Sequence, residues 1–355
     1  MSMSTPPTPD EAQRLAARLV VIGFDGTSPT PAAEQLVARG VRGIILFARN
    51  AGPRAEVAAT VAACKALAAP EPLLVCIDQE GGNTARLSRA NGFDPPPAMR
   101  EVAAAAGGGV ASAAAAAAAV GARLAVDLRP IGIDMNLAPV VDVDSNPLNP
   151  VIGPRSFSRE PAVVGACGAA LAQAMQAGGV AACAKHFPGH GDTESDSHHD
   201  LPVLRHGLER LRAVELPPFA AAARAGVAAV MTTHVVFDQI DAGVPATMSA
   251  AAVTGLLRGE LGFDGVVLSD CLEMAAIAAF HEIGEAAVKA VDAGVDLLLC
   301  CHEPARQNRV IDALAAAITE GKLSMERVKS AHERLDRLFA EFVRPLPATA
   351  APSQA

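Results

Sequence analysis

Eight short apolar runs alternate with alanine-rich helical segments along this chain of 355 residues, and this rhythm constrains its fold more than any other feature. Near-continuous apolar runs rich in β-branched residues are typical of strands buried on both faces of a parallel sheet. The runs span residues 19–24, 43–47, 73–78, 133–139, 180–187, 228–237, 265–270 and 295–300. Eight βα units predict an α/β fold, a (β/α)8 TIM barrel. A doubly wound open sheet is the alternative, but no G-x-G-x-x-G follows the first strand.

The chain reads as a single domain, because no linker and no shift in composition interrupts the rhythm. We predict a disordered N-terminal tail over residues 1–12, a TIM-barrel catalytic domain over residues 13–343 and a disordered C-terminal tail over residues 344–355.

Composition excludes several classes of protein. The net charge is −9 and there is no basic stripe, so no nucleic acid is expected as a partner. Seven cysteines without a C-x-x-C motif argue against a disulfide framework or a zinc ribbon. The N-terminus lacks the basic and apolar pattern of a signal peptide, and the alanine tract at residues 102–120 is broken by glycines. We therefore expect a packed helix there, no membrane partner, a cytoplasmic location and a monomer.

Polar side chains gather where the predicted strands end. Polar or charged residues lie at or near the ends of the third, fifth, sixth and seventh apolar runs: Asp78, Gln79, Glu80, Lys185, His186, His234 and Asp270. In a barrel the active site is built at this end of the strands, but strand ends also meet solvent, where polar residues belong in any case. A mixed set of acids, lysine and histidine favours the active site.

The loop after Lys185 contains a histidine cluster that allows two kinds of chemistry. His186 and His190 have the i, i+4 spacing of helical metal ligands, but Pro188 and Gly189 cannot sustain a helix. A loop could still gather metal ligands, so a metal-dependent hydrolase stays open as an alternative.

The second possibility is proton transfer. Asp196 lies two residues before His198, and side chains at i and i+2 of an extended segment point the same way. The carboxylate can then fix the imidazole tautomer and leave the other nitrogen to exchange a proton. A surface hydrogen bond without a role is the alternative. Gly189 and Gly191 are expected to let this loop open and close.

Two acidic positions have equally open interpretations. Asp270 ends a buried strand, so it is either the N-cap of the next helix or a reactive carboxylate aimed into the barrel mouth. Asp78 and Arg86 flank a double glycine, and the pair could read sugar hydroxyls or form a plain salt bridge. Arg155 lies on another loop.

Four segments taken together resemble the family 3 glycoside hydrolases, and most of all their bacterial β-N-acetylglucosaminidases of cell-wall recycling. The segments are "IDQEGG…R", "VIGPRSF", "KHFPGHG…DSH" and "SDCLEM", in this order, within a resemblance over roughly residues 15–340. The family implies a TIM barrel, Asp270 as nucleophile, and His198 as acid/base with Asp196 as its partner. It also implies a site for N-acetylglucosamine formed by Asp78, Arg86, Arg155, Lys185 and His186.

The resemblance implies no metal and no organic cofactor, and a small-molecule glycan as the partner. Cys271 stands where the family usually has a second acid, and Asn83 replaces a common arginine. A phosphorylase, a β-glucosidase of the same family and a sugar-binding protein without activity remain alternatives.

Overall fold

The computed structural model describes residues 7–197 and 201–344, and eight parallel strands close into a barrel at its centre. All eight apolar runs contribute a strand, and each strand pairs in parallel with its neighbours along the chain. The strands are β1 (Val20–Ile22), β2 (Gly43–Leu46), β3 (Leu74–Ile77), β4 (Met135–Asn136), β5 (Ala181–Phe187), β6 (Ala229–Thr232), β7 (Val266–Cys271) and β8 (Leu297–Cys300). The last strand closes on the first. The predicted (β/α)8 TIM barrel is confirmed.

Helices surround the barrel and shield its outer face. They are α1 (Pro9–Ala17), α2 (Pro31–Ala38), α3 (Arg54–Ala68), α4 (Met99–Ala105), α5 (Val110–Leu128), α6 (Pro161–Ala177), α7 (Leu208–Ala213), α8 (Leu216–Arg224), α9 (Ala275–Ala278), α10 (Ile283–Ala293), α11 (Pro304–Thr319) and α12 (Met325–Phe342). A π-helical segment, Ala251–Glu260, precedes β7. The strand side chains and the inner helix faces form one continuous apolar core. All seven cysteines are unpaired thiols buried in this framework.

The alanine tract forms α4 and α5, and α5 packs along α6. A Cβ atom on Gly121 would lie 2.3 Å from the carbonyl oxygen of Leu171, so the glycine permits the close approach of the two helices. The segment Val110–Ile131 is also long and apolar enough, by length and composition alone, to cross a membrane, with 28% of the most apolar window buried. A helix of a soluble protein passes the same test, so this composition is weak evidence for a span.

The N-terminal boundary differs from the predicted tail, which extends to residue 12. Helix α1 begins at Pro9, because the side chains of Thr8 and Glu11 cap its first turn reciprocally. Ala12 is buried in the core, so this turn is also held by packing. The predicted C-terminal tail, apart from Arg344, lies outside the described residues.

Buried charges at the amino ends of the strands are structural. Asp296, just before β8, is fully buried and forms ion pairs with Arg258 and Arg327. Asp134, just before β4, accepts a hydrogen bond from Lys65 at 2.8 Å. These clusters fasten helices to the barrel at the end opposite the polar strand ends described next.

Candidate active site

A cavity of about 330 Å³ opens at the carboxyl ends of the barrel strands. Its wall includes six side chains that the sequence predicts for the site: Asp78, Arg86, Arg155, Lys185, His186 and Asp270. Residues from seven of the eight strands or the loops after them, all but β1, meet here, because all parallel strands end at the same rim. The volume lies at the low end of the range of about 300–1,000 Å³ for ligand pockets, so it suits one small molecule.

Two acids and three cations form the polar floor of the cavity. The ammonium of Lys185 lies 2.8 Å from Asp78 and 2.7 Å from Glu80. Arg155 binds Glu80 through two parallel hydrogen bonds of 2.8 Å. Arg86 reaches Asp78 at 3.3 Å. The bidentate and shared contacts hold these charged groups in fixed positions at the cavity.

Glu80 and Lys185 stay ionised at neutral pH. Burial, the largest influence on Glu80, raises the pKa of that carboxyl, but Arg155 and Lys185 outweigh it and bring its pKa well below the ordinary value. Burial likewise lowers the pKa of Lys185, while Asp78 and Glu80 raise it above the ordinary value overall. The cavity thus contains fixed charges of both signs, which suit a neutral, hydroxyl-rich ligand better than a charged one.

Asp142, which is buried and does not line the cavity, orients His186. Its carboxylate lies 2.7 Å from Nδ1 of His186 and also accepts the backbone N–H of His190 at 2.7 Å. Since Nδ1 donates to the carboxylate, Nε2 is directed toward the guanidinium of Arg155, 3.4 Å away. Asp142 is fully buried, so it acts only through His186 and the loop that contains His190.

Asp270 presents its carboxylate to the cavity from the end of β7. Oδ1 accepts the backbone N–H of Cys271 at 2.7 Å. Helix α9 starts at Ala275 after Met274, so Asp270 is not its N-cap and that interpretation is excluded. Burial alone raises the pKa of Asp270, but His234, His186 and the Cys271 N–H together lower it below the ordinary value. The carboxylate is therefore anionic at neutral pH.

The loop after β5 is packed tightly up to Ser197. The imidazole nitrogens of His190 lie 2.9 Å from the Thr193 hydroxyl and 3.0 Å from the Ser197 hydroxyl. The carbonyl of Ser197 accepts the N–H of Ala276, on the segment after Asp270, at 3.2 Å. These contacts engage both nitrogens of His190, so it is not available as a metal ligand alongside His186.

The glycines of this loop serve close packing and not the hinge expected from the sequence. A Cβ atom on Gly191 would lie 1.7 Å from the carbonyl oxygen of Val143, and one on Gly189 would lie 2.8 Å from Glu215. Gly189 also has a φ of +142°, a conformation that other residues rarely adopt. Any opening of the loop has to begin after these positions.

We expect His190 to make stability depend on pH. Burial, then the neighbouring His186, lowers the pKa of His190 to about 4 from an ordinary value of 6.5. Between pH 6.5 and pH 4, His190 is protonated in the unfolded chain but stays neutral in the folded chain. The free energy of unfolding therefore falls as the pH drops from 6.5 to 4, by roughly 3 kcal/mol. Urea unfolding at pH 7, 5.5 and 4.5 measures this slope. The His190→Asn variant should have a shallower slope, and equal slopes would contradict the assignment.

The structure therefore collects most of the predicted site residues, with two qualifications. His198 lies outside the described residues, and Asp196 is half-buried directly before Ser197, whose side chain lines the cavity. Glu80 was expected at a strand end without a role, and Asp142 was not among the predicted site residues. An acid directly after the apolar stretch 137–141 was the available signal for Asp142.

Family membership follows from comparison with known proteins. Residues 16–338 match the model of the glycosyl hydrolase family 3 N-terminal domain, and the chain belongs to glycosyl hydrolase family 3. It is similar to a Beta-hexosaminidase of Chromobacterium violaceum, with 40% identity over 275 residues that cover 78% of this chain and 76% of the relative.

Two longer relatives are similar over nearly the whole chain. Beta-hexosaminidase A of Pseudoalteromonas piscicida is 36% identical over 335 residues, which cover 88% of this chain and 55% of the relative. The solved structure of a glycoside hydrolase family 3 beta-N-acetylglucosaminidase from Paenibacillus sp. str. FPU-7 has 42% identity and a TM-score of 0.89. It matches 97% of this chain, which spans 65% of that longer protein.

Proposed function

We propose that this protein is a retaining β-N-acetylglucosaminidase that releases terminal β-linked N-acetylglucosamine through a covalent glycosyl-aspartate. One observation carries the proposal: an ionised aspartate, Asp270, faces a sugar-sized cavity whose floor is a fixed network of hydrogen-bonding charges. The three relatives named above have beta-hexosaminidase or beta-N-acetylglucosaminidase names, which supports the same activity.

In the first step the carboxylate of Asp270 attacks the anomeric carbon and forms a glycosyl ester, while the leaving oxygen takes a proton from His198. In the second step a water molecule attacks the same carbon, gives a proton back to His198 and releases Asp270. Two inversions at one carbon retain the β configuration.

Ser197 supports His198 as the acid/base group. His198 directly follows Ser197 in the sequence, and Ser197 lines the cavity. The N–H of Ala276 donates a hydrogen bond to the carbonyl of Ser197, and this bond joins this part of the loop to the segment after Asp270. Asp196 would orient the imidazole, as the sequence spacing suggests.

The floor would recognise the sugar. Asp78, Arg86, Arg155, Lys185 and His186 offer donors and acceptors to ring hydroxyls, and their mutual ion pairs keep them in place before the sugar arrives. Preorganised groups cost little to align on binding, so their bonds can strengthen as charge develops on the ring.

The test is hydrolysis of a series of nitrophenyl β-glycosides with the product anomer followed by NMR. We expect N-acetylglucosaminide to be cleaved much faster than glucoside and β-N-acetylglucosamine to appear first. An α product would overturn the mechanism, and preference for glucoside would move the activity to a β-glucosidase. A rate that requires added phosphate, with a sugar phosphate as product, would identify a phosphorylase.

We further propose that the natural substrates are anhydro-muropeptide fragments of peptidoglycan, handled in the cytoplasm. The supporting observation is the resemblance of the "KHFPGHG…DSH" segment to enzymes of cell-wall recycling. Comparison of kcat/KM on anhydro-muropeptides and on chitobiose checks the substrate, and fractionation of the cells that make the protein checks the location.

A further inference from the structure

A second group of reactive side chains lies beside the same cavity, and two of its members, Cys271 and His302, are in the cavity wall. Cys271 ends β7, Glu273 follows two residues later, and His302 lies two residues after the neighbouring strand β8. A thiol sulfur, a carboxylate oxygen and an imidazole nitrogen from these residues all lie within 4.8 Å of one another. Within residues 7–197 and 201–344, this is the one such group of three. We propose that Cys271, Glu273 and His302 bind one divalent cation of the zinc class.

The donor set selects the cation. Thiolate and imidazole favour zinc and its softer relatives, whereas magnesium and calcium prefer oxygen ligands alone. Zinc bonds of about 2.0–2.3 Å in tetrahedral geometry place ligand atoms about 3.3–3.8 Å apart. The sulfur of Cys271 and Oε2 of Glu273 are already 3.8 Å apart, and no pair of ligand atoms has to close by more than about 1–1.5 Å. Three protein ligands leave a fourth position, and Cys271 and His302 direct it toward the cavity that contains Asp270.

Glu273 is already held in position for this role. Its Oε2 accepts the backbone N–H groups of Cys301 and His302 at 2.6 and 2.7 Å, and its Oε1 accepts that of Glu303 at 2.8 Å. A carboxylate has about four acceptor positions, two on each oxygen, so Oε1 keeps one for a cation. The Cys271 sulfur is 3.8 Å from Oε2 of the same carboxylate, close enough for the two side chains to share a cation once the thiol loses its proton.

His302 needs one adjustment to bind. Its Nδ1 now accepts a hydrogen bond from the guanidinium of Arg49, 3.1 Å away. A cation at this nitrogen would turn that one guanidinium nitrogen away. Arg49 would remain anchored, because its other contacts are to Asp25, the carbonyl of Phe24 and the carbonyl of Cys301.

The sulfur ligand is present because Cys271 replaces the acid that the family usually has at this position. The resemblance described above places an acid at position 271, and an acid there would make the set harder and more negative. With cysteine, the site gains the donor that distinguishes a zinc-class ion from the abundant magnesium.

Cobalt(II) titration of the chelator-treated, reduced protein tests the site. We expect one equivalent to bind with a sulfur-to-cobalt charge-transfer band, and zinc to displace it. Cys271→Ser should abolish the band and His302→Ala should weaken binding at least tenfold. Cys167→Ser, at a buried cysteine of α6 outside the site, is the matched control and should keep the band. Unfolding midpoints show that the variants fold.

A second readout is alkylation of Cys271 by iodoacetamide, followed by peptide mass spectrometry. Zinc should slow it at least tenfold, while magnesium should not. A cobalt spectrum without a thiolate band, a band that survives in Cys271→Ser, or alkylation that zinc leaves unchanged would each overturn the site. None of these readouts uses glycoside hydrolysis, so they stand apart from the proposed activity.

Discussion

Replacing Asp270 with asparagine should reduce kcat at least about a thousandfold, because the amide cannot form the glycosyl ester. Within residues 7–197 and 201–344 the Asp270 side chain accepts one hydrogen bond, from the backbone N–H of Cys271, so the fold should survive. Binding of N-acetylglucosamine, measured by calorimetry, should change little because the floor of the cavity remains intact. Turnover of nitrophenyl N-acetylglucosaminide at various concentrations separates kcat from KM.

Azide distinguishes a nucleophile from a carboxylate that only positions the substrate. In Asp270→Gly, azide can enter the vacated space, attack the anomeric carbon and displace the nitrophenolate, which gives an α-glycosyl azide. Asp94→Asn, at an exposed aspartate away from the cavity, is the matched control and should keep parental turnover. Full activity of Asp270→Asn, or azide restoring only the β product, would exclude Asp270 as nucleophile.

Replacing Lys185 with methionine should cost about 3–5 kcal/mol of unfolding free energy, since removal of one partner leaves buried charge uncompensated. The side chains of Lys185 and Glu80 are each 3% exposed, and Asp78 is 13% exposed. Urea unfolding at pH 7 measures the loss. The double variant Lys185→Met with Glu80→Gln should recover part of the lost unfolding free energy, because the second change removes one of the buried carboxylate charges that Lys185 compensates.

The matched control for this prediction is Lys322→Met. Lys322 is 70% exposed and pairs with Glu320 at the surface, so its loss should leave the unfolding free energy unchanged. If Lys185→Met were as stable as the control, the floor of the cavity would not be an electrostatic unit.

The barrel could be predicted because apolar runs are a local signal. Every apolar run contains a strand, but several strands are shorter than the run that predicted them. Residues 133–139 give only the two-residue strand β4, and the run at 228–237 leaves the barrel after Thr232, where His234 turns to bond Thr247. Helix α1 begins earlier than predicted because capping and packing outweigh the polar composition of its first turn.

The pairing of the site residues could not be predicted in the same way. Glu80 and Arg155 are 75 positions apart, and Asp142 and His186 are 44 apart. Which acid meets which base depends on strand register and loop path, and neither leaves a local pattern. The family resemblance pointed to residues that face the sugar, whereas Asp142 stands behind them and became visible only through its contacts.

The ion clusters around Asp296 and Asp134 lie at the opposite end of the strands from the sugar cavity. These two stabilising clusters therefore lie away from the loops that carry the chemistry, in addition to the ion pairs of the cavity floor. Loops at the carboxyl ends of the strands can accept mutations that change which glycan binds, while the ion clusters at the amino ends keep the barrel closed. This separation makes the scaffold evolvable, and directed evolution confined to the loops after β2, β4 and β8 should change selectivity with little loss of thermal tolerance.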